Sequence, residues 1–308
     1  MAEQLRPLDG KVVAITGGAR GIGRATAVAL AASGARVAIG DLDAALTART
    51  AEEIGGGVVG LQLDVTSRDS FTSFLDEVER LLGPLDVLVN NAAIQPVGEF
   101  ADEADDVTAR ALDVNLGGTM LGCKLALQRL LPRDTGHIVN VSSGLGRTAV
   151  PNGASYCASK YAIVGLTESL WAELAGTKVE LHLVLPGFVD TEMSAGMRGL
   201  RGMRPLRAEE VAAAIVEALQ TGRRWIYVPR SLGVLVALQP LAPRRLGALG
   251  RRLLRSDRLM LDADPLDRAA YAARIAPPAQ DPAPDPAATV ASAAASVADA
   301  VRAARNGA

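Results

Sequence analysis

Three side chains, Ser143, Tyr156 and Lys160, stand at separations that suit proton transfer at a single point. In the run Tyr156-Cys-Ala-Ser-Lys160 the tyrosine and lysine are four residues apart, so on a helix they share one face. A phenol titrates near 10 and needs a neighbouring cation to act as a base at neutral pH. An ammonium about 4 Å away, at an effective dielectric of ~20, contributes roughly 4 kcal/mol, enough to bring the phenol toward neutrality. Ser143 precedes Tyr156 by thirteen residues, at the end of the apolar run His137 to Val141. There its hydroxyl can polarise a carbonyl oxygen held between it and the phenol. Alone, a Tyr-x-x-x-Lys spacing also describes a half-exposed pair on a surface helix. Lysine is scarce here, however, at four residues among the 32 Lys and Arg.

A second constellation sits near the start of the chain. The apolar run Val12 to Thr16 leads into Thr16-Gly17-Gly18-Ala19-Arg20-Gly21-Ile22-Gly23, and helix formers follow to Ala32. Glycine lets a backbone turn tightly and approach a pyrophosphate, while the next helix offers unpaired N–H groups and partial positive charge. Asp41 ends the next apolar run, 18 residues beyond Gly23, where a carboxylate can accept hydrogen bonds from ribose hydroxyls and would repel a 2′-phosphate. That favours NAD over NADP. Two other readings stand beside it: Asp41 can cap the following helix, and Arg20 can serve a phosphorylated ribose.

These residues need elements to hold them. Seven β-branched or apolar runs, Val12 to Thr16, Arg36 to Gly40, Val58 to Leu63, Val87 to Asn90, His137 to Val141, Val179 to Leu185 and Ile226 to Val228, alternate with stretches of helical period. Such alternation predicts an α/β fold, a doubly wound, mostly parallel seven-stranded sheet of the Rossmann type flanked by helices, with ligands beyond the carboxyl ends of the strands. His137 and His182 fall within strands and read as structural.

Together the motifs resemble the short-chain dehydrogenase/reductase family over about residues 9 to 230. Its T-G-x-x-x-G-x-G loop matches Thr16 to Gly23, its acid after the second strand Asp41, and its Asp-Val adenine contact Asp64-Val65. The N-N-A-G stretch appears as Asn90-Asn91-Ala92-Ala93, departing at the last position, where alanine restricts the backbone more than glycine does. The helix asparagine matches Asn115, N-x-S-S matches Asn140 to Ser143, and P-G-x-x-x-T matches Pro186, Gly187 and Thr191. The resemblance implies Tyr156 as acid/base, Ser143 orienting the substrate oxygen, Lys160 lowering the tyrosine pKa and holding the ribose, and Asn115 ordering a relay water. It also implies Val189 backbone and Thr191 hydroxyl contacts to the nicotinamide carboxamide, a homo-oligomer, and no metal. A dinucleotide sensor or scaffold without catalysis would be expected to have lost one of the four; an epimerase or dehydratase remains a second alternative on such a fold.

Segments Ile94 to Phe100, Gly144 to Asn152 and Gly187 to Pro205 are expected to wall the pocket. The last carries Met193, Met197 and Met203, three of six methionines, which favours an apolar, adaptable site for a small alcohol or ketone. A packed lid helix would read the same way.

Composition sets the outer limits. A formal charge of −2 gives no global bias toward nucleic acid, and aromatic residues make up only 3% of the chain. Locally, Arg223 to Arg258 holds nine arginines against Asp257 alone. The part from Ser231 to Arg258, with Leu232 to Leu241 beside Arg244, Arg245, Arg251, Arg252 and Arg255, could touch an anionic membrane or pack on the protein or a second subunit. The expected organisation is a catalytic domain over 1–230, an Arg-rich apolar extension over 231–275 and a Pro/Ala-rich tail over 276–308. Cys123 and Cys157 read as buried thiols, and neither a secretory signal nor a bilayer-length apolar run is found. A cytoplasmic protein is expected.

Overall fold

The computed structural model describes residues 5–199, 201–202, 204–238 and 258–276. Seven strands form one sheet: β1 (Val12–Thr16), β2 (Arg36–Asp41), β3 (Val59–Gln62), β4 (Val87–Asn90), β5 (Gly136–Val141), β6 (Val179–Pro186) and β7 (Trp225–Val228). Every pairing is parallel, in the order β3-β2-β1-β4-β5-β6-β7. The sequence reading places all seven within two residues of these bounds. Parallel strands covered on both faces must be apolar throughout, and β1 and β4 are buried at every position.

The chain leaves β1 toward β2 and β3, then returns to β4 on the other side of β1. The two halves of the sheet therefore diverge between β1 and β4, and the carboxyl ends of those strands border a crevice. Side-chain alternation divides the core. Val13, Ile15, Val37, Ile39, Val139 and Val184 face α1 (Gly21–Ala32) and α7 (Ala208–Thr221). Val12, Ala14, Ala38, Leu88 and Ile138 face α3 (Arg68–Leu82) and α5 (Gly118–Leu130). α2 (Ala44–Ile54) and α4 (Asp105–Leu112) complete the first half, and α4 runs through a π turn, Asp113–Gly117, into α5. α6 (Ala154–Glu173) sets Ile163 and Val164 against Leu183 and Leu185 of β6.

Beyond β7 come α8 (Arg230–Leu238) and α9 (Pro265–Ile275). The described residues through Ile275 belong to one compact unit. Arg244, Arg245, Arg251, Arg252 and Arg255, Met203 and the tail from 277 onward lie outside the described residues. No described helix is long and apolar enough to cross a membrane.

Candidate active site

The glycine loop is shaped by contacts within the protein as much as by any ligand. Gly17 and Gly21 hold positive φ, +63° and +48°. A Cβ on Gly23 would lie 2.2 Å from the Gly17 carbonyl oxygen, and one on Gly18 would meet Ile39 at 2.5 Å. Only glycine lets α1 start this close to the turn. Arg20 occupies the N-cap of α1 without a side-chain cap, and the first turn holds no acid, so the leading N–H groups of the helix are available to an anion.

Thr16 does not line the crevice; it ties β1 to β4. Its Oγ1 accepts from the backbone N–H groups of Asn91 and Ala92, each at 3.0 Å. Asn91 returns its amide to the carbonyls of Thr16 and Gly17, both at 3.0 Å. Ala93, where the family pattern has glycine, is not among the residues with positive φ, so the alanine carries no backbone strain.

At the end of β2 the two readings of Asp41 separate. Asp43, not Asp41, caps α2, accepting from Leu46 N–H at 3.0 Å. The Asp41 carboxylate points toward the glycine loop, 3.4 Å from Ala19 N–H, and burial raises its pKa against the pull of nearby backbone N–H groups and Arg20. Arg20 is engaged by Glu192 at 3.1 Å and Asp43 at 3.6 Å. Asp64 turns its carboxylate onto Thr66, and Val65 packs beneath Gly118.

A cavity of about 430 Å³ runs from this region across the carboxyl edge of the sheet. Gly17, Arg20, Gly21, Ile22, Asp41, Asp64, Val65, Asn91, Ala92, Tyr156, Lys160 and Thr191 line it. Gly23, Pro186, Gly187 and Val189 stand behind it: Pro186 ends β6, Gly187 N–H donates to Val228 at 2.7 Å, and Val189 bridges to Leu206. Arg110 also borders the cavity, its Nε buried and without a hydrogen-bond partner among the described residues. The uncapped helix start, the free face of Asp41 and this unpaired guanidinium nitrogen fit a dinucleotide.

At the other end of the cavity α6 presents Tyr156 and Lys160. The phenol shares a hydrogen bond with Ser143, whose hydroxyl also accepts from Leu145 N–H at 3.1 Å. Lys160 is 2% exposed; its Nζ donates to the Val141 carbonyl at 3.0 Å and lies 5.6 Å from the Tyr156 ring centre. Burial pushes its pKa down to about 7, while burial drives the Tyr156 pKa up, with the Ser143 bond as the opposing influence. Desolvation thus disfavours the charged form of each group, and the Ser143 hydrogen bond is the influence that favours the phenolate.

The side chain of Asn115 is committed to bonds within the protein. It is fully buried in the π turn, with Oδ1 accepting from Ile94 N–H at 2.7 Å and Nδ2 donating to Ile94 O at 2.9 Å and Ser159 Oγ at 3.0 Å. The amide is spent on holding the 94 loop to α6. π turns arise where a helix accommodates a local demand, often at functional sites.

Of the three expected walls, Ile94, Thr191, Glu192 and Met193 line the cavity, whereas no residue of 144–152 does. Val150 packs instead with Cys157, Met260 and the back of Tyr156. Tyr271, Arg274 and Ile275 of α9 line the cavity and were not anticipated from sequence.

His137, Glu180 and His182 cluster on the opposite edge of the sheet. His137 Nδ1 and His182 Nε2 are 3.1 Å apart and the ring centres 5.3 Å, so the nitrogens lie close to the line joining the rings. This is an N–H···N hydrogen bond; a shared ion would need both lone pairs to converge off that line. Burial, then the His182 ring, pushes the His137 pKa down to about 4, and burial lowers that of His182, whose Nδ1 meets Arg223 O at 2.7 Å.

A seven-stranded parallel sheet with a glycine loop and a Ser-Tyr-Lys group at its carboxyl edge defines a dinucleotide-dependent oxidoreductase class. The family model for short chain dehydrogenase matches residues 11–199, and the chain belongs to that family. It is 42% identical over 193 residues to 2-(S)-hydroxypropyl-CoM dehydrogenase 3 of Xanthobacter autotrophicus, covering 62% of this chain and 74% of that one. It is 37% identical over 232 residues to EphD of Mycobacterium tuberculosis, named a probable oxidoreductase; the match covers 68% of this chain but spans only 39% of that longer protein. A crystal structure of a short chain dehydrogenase/reductase from Burkholderia phymatum in complex with NAD superposes with a TM-score of 0.70 at 28% identity, over 76% of this chain and 94% of that one.

Proposed function

We propose that this protein transfers hydride between NAD and the hydroxyl or carbonyl carbon of a small, largely apolar alcohol or ketone, with Tyr156 as acid/base. The observation that carries the reading is Tyr156, hydrogen-bonded to Ser143, and buried Lys160 lining the same cavity as the glycine loop and Asp41. A relative named for a 2-(S)-hydroxypropyl compound supports a secondary alcohol as the substrate class.

The nicotinamide, when bound, supplies or accepts the hydride. The remaining work falls to the chain. Tyr156, held protonated by burial, donates its proton to the carbonyl oxygen in the reducing direction. Ser143 hydrogen-bonds the same oxygen and keeps it within reach of the phenol. In the oxidising direction Tyr156 must lose a proton, and a charged Lys160 makes that loss less costly. Gly17, Gly21, Ile22, Asp64, Val65, Asn91 and Ala92 would hold the dinucleotide, joined by Thr191 and the backbone near Val189. Asp41 supports NAD, since its carboxylate is free of helix capping while Arg20 is already paired.

The test follows reduced-nicotinamide absorbance with NAD and NADP separately across secondary alcohols, with Tyr156→Phe as control. The expected result is NAD-dependent turnover that falls at least about 100-fold in the variant while NADH binding persists. Turnover undiminished by the substitution would reject the role given to Tyr156.

A further inference from the structure

We infer that α9 is the substrate-side wall of the cavity, with Tyr271 setting how large a group can sit beside Tyr156 and Arg268 positioning the two chain segments that face it. The inference rests on the reading of this cavity as the site of hydride transfer, and it assigns a role to a segment of the chain that the family motifs do not reach.

Arg268 is 6% exposed, an unusual place for a guanidinium. Its Nη1 donates to the carbonyls of Met193 and Ala195, and its Nη2 to that of Gln95, all at 3.0 Å. One planar fork thus cross-links the loop after β4 to the segment after β6. A helix that merely covered the surface would not bury a charge to reach three carbonyls; their hydrogen bonds offset its desolvation. Tyr271, 3% exposed, lies under the same guanidinium at 5.0 Å from its ring centre. Its hydroxyl accepts from Gln95 N–H at 2.8 Å, so the phenol is fixed at both ends. Asp264 N–H adds a bond to Gly196 O at 2.9 Å, just where α9 begins.

The ring of Tyr271 therefore borders the cavity together with Ile94, Met193 and Ile275. These four side chains make an apolar and aromatic stretch, bordered by the paired Arg274 and Glu192, and it is rigid because the hydrogen bonds of Tyr271 and Arg268 run to backbone groups. The group carried by the substrate next to its reacting carbon meets that ring, so its bulk is limited by Tyr271.

The experiment uses the full chain with Tyr271→Ala, Tyr271→Phe and Arg268→Lys, and three readouts: NADH fluorescence titration, turnover of 2-propanol against 1-phenylethanol, and amide hydrogen exchange. Tyr271→Ala is expected to raise the kcat/KM ratio of the bulky to the small alcohol at least about ten-fold, mainly through the KM of the alcohol, with the NADH titration separating any change in cofactor affinity from it. Tyr271→Phe is expected to speed exchange at the Gln95 amide alone, and Arg268→Lys at Gln95 and 193–197 together. An unchanged alcohol ratio in Tyr271→Ala overturns the role of Tyr271, and unchanged exchange in Arg268→Lys overturns that of Arg268. Absence of turnover by the unaltered protein on every alcohol would count against the hydride-transfer reading, while the exchange measurements still decide whether α9 fixes the wall.

Discussion

Lys160 shares a face of α6 with Tyr156, yet its Nζ hydrogen-bonds the Val141 carbonyl at 3.0 Å and stands 5.6 Å from the phenol ring. Among the described residues no carboxylate pairs with it, and burial brings its pKa from 10.5 to about 7. A lysine held below its unfolded pKa binds fewer protons in the folded state between those two values. Stability therefore rises with pH from about 7 to 10.5, and the full cost of the buried ammonium applies below 7. Lys160→Met removes that titration while keeping the volume. The variant should gain on the order of a few kcal/mol below pH 7, less the lost bond to Val141, and the gain should shrink by about 1.4 kcal/mol per pH unit above it. Urea midpoints across pH 6 to 10 check this; a pH-independent difference would show that Lys160 is charged at no cost.

Asn115 ties the loop after β4 to α6. Its side chain satisfies both backbone groups of Ile94 and the hydroxyl of Ser159. Asn115→Ala leaves those groups buried and unpaired, which should cost about 2–4 kcal/mol and lower the thermal midpoint by roughly 5–10 °C. Were the residue needed for chemistry alone, the midpoint would stay put while turnover fell.

Selectivity between dinucleotides should follow Asp41. Its carboxylate faces the glycine loop and caps no helix. Asp41→Ala should weaken NADH binding by about 10- to 100-fold, the value of one or two charge-assisted hydrogen bonds, and should tighten NADPH binding by removing a repulsive charge. Parallel fluorescence titrations decide; equal losses for both cofactors would place the carboxylate in the architecture of the loop only.

The sheet was legible because parallel strands buried on both faces are written as short continuous apolar runs, and Val12 to Thr16 and Val87 to Asn90 are bounded to the residue. The glycine loop and the Tyr156 and Lys160 pair were legible because their spacing is local. What escaped was placed by tertiary structure. Tyr271, Arg268 and Arg274 follow Tyr156 by more than a hundred residues, and in sequence α9 is an arginine-bearing stretch with little apolar stripe. Nothing around Arg268 announces that its partners would be the carbonyls of Gln95, Met193 and Ala195. The π turn at Asp113–Gly117 likewise has no periodicity of its own, and the desolvation of Lys160 depends on neighbours that no spacing rule counts.

Glu192 joins three parts of the site: Arg20 of the glycine loop at 3.1 Å, Arg274 of α9, and through Arg20 the Asp43 cap of α2. Burial raises its pKa, but Arg274 and Arg20 outweigh this and hold it below the usual carboxylate range. Two guanidiniums at the edge of an anion-binding loop are thus partly neutralised by one carboxylate, which itself opposes the approach of a pyrophosphate. Glu192→Gln keeps the shape, removes the negative charge and leaves Arg20 with Asp43 as its remaining partner and Arg274 released toward the phosphates. The pairs are partly exposed, so each is worth little to stability, and the fold should be unaffected. NADH affinity should rise about three- to ten-fold at low salt, and the gain should fade at about 1 M salt, where the screening length drops to ~3 Å. Weaker binding at low salt would instead make Glu192 an anchor that keeps the segment after β6 and α9 in place for the cofactor.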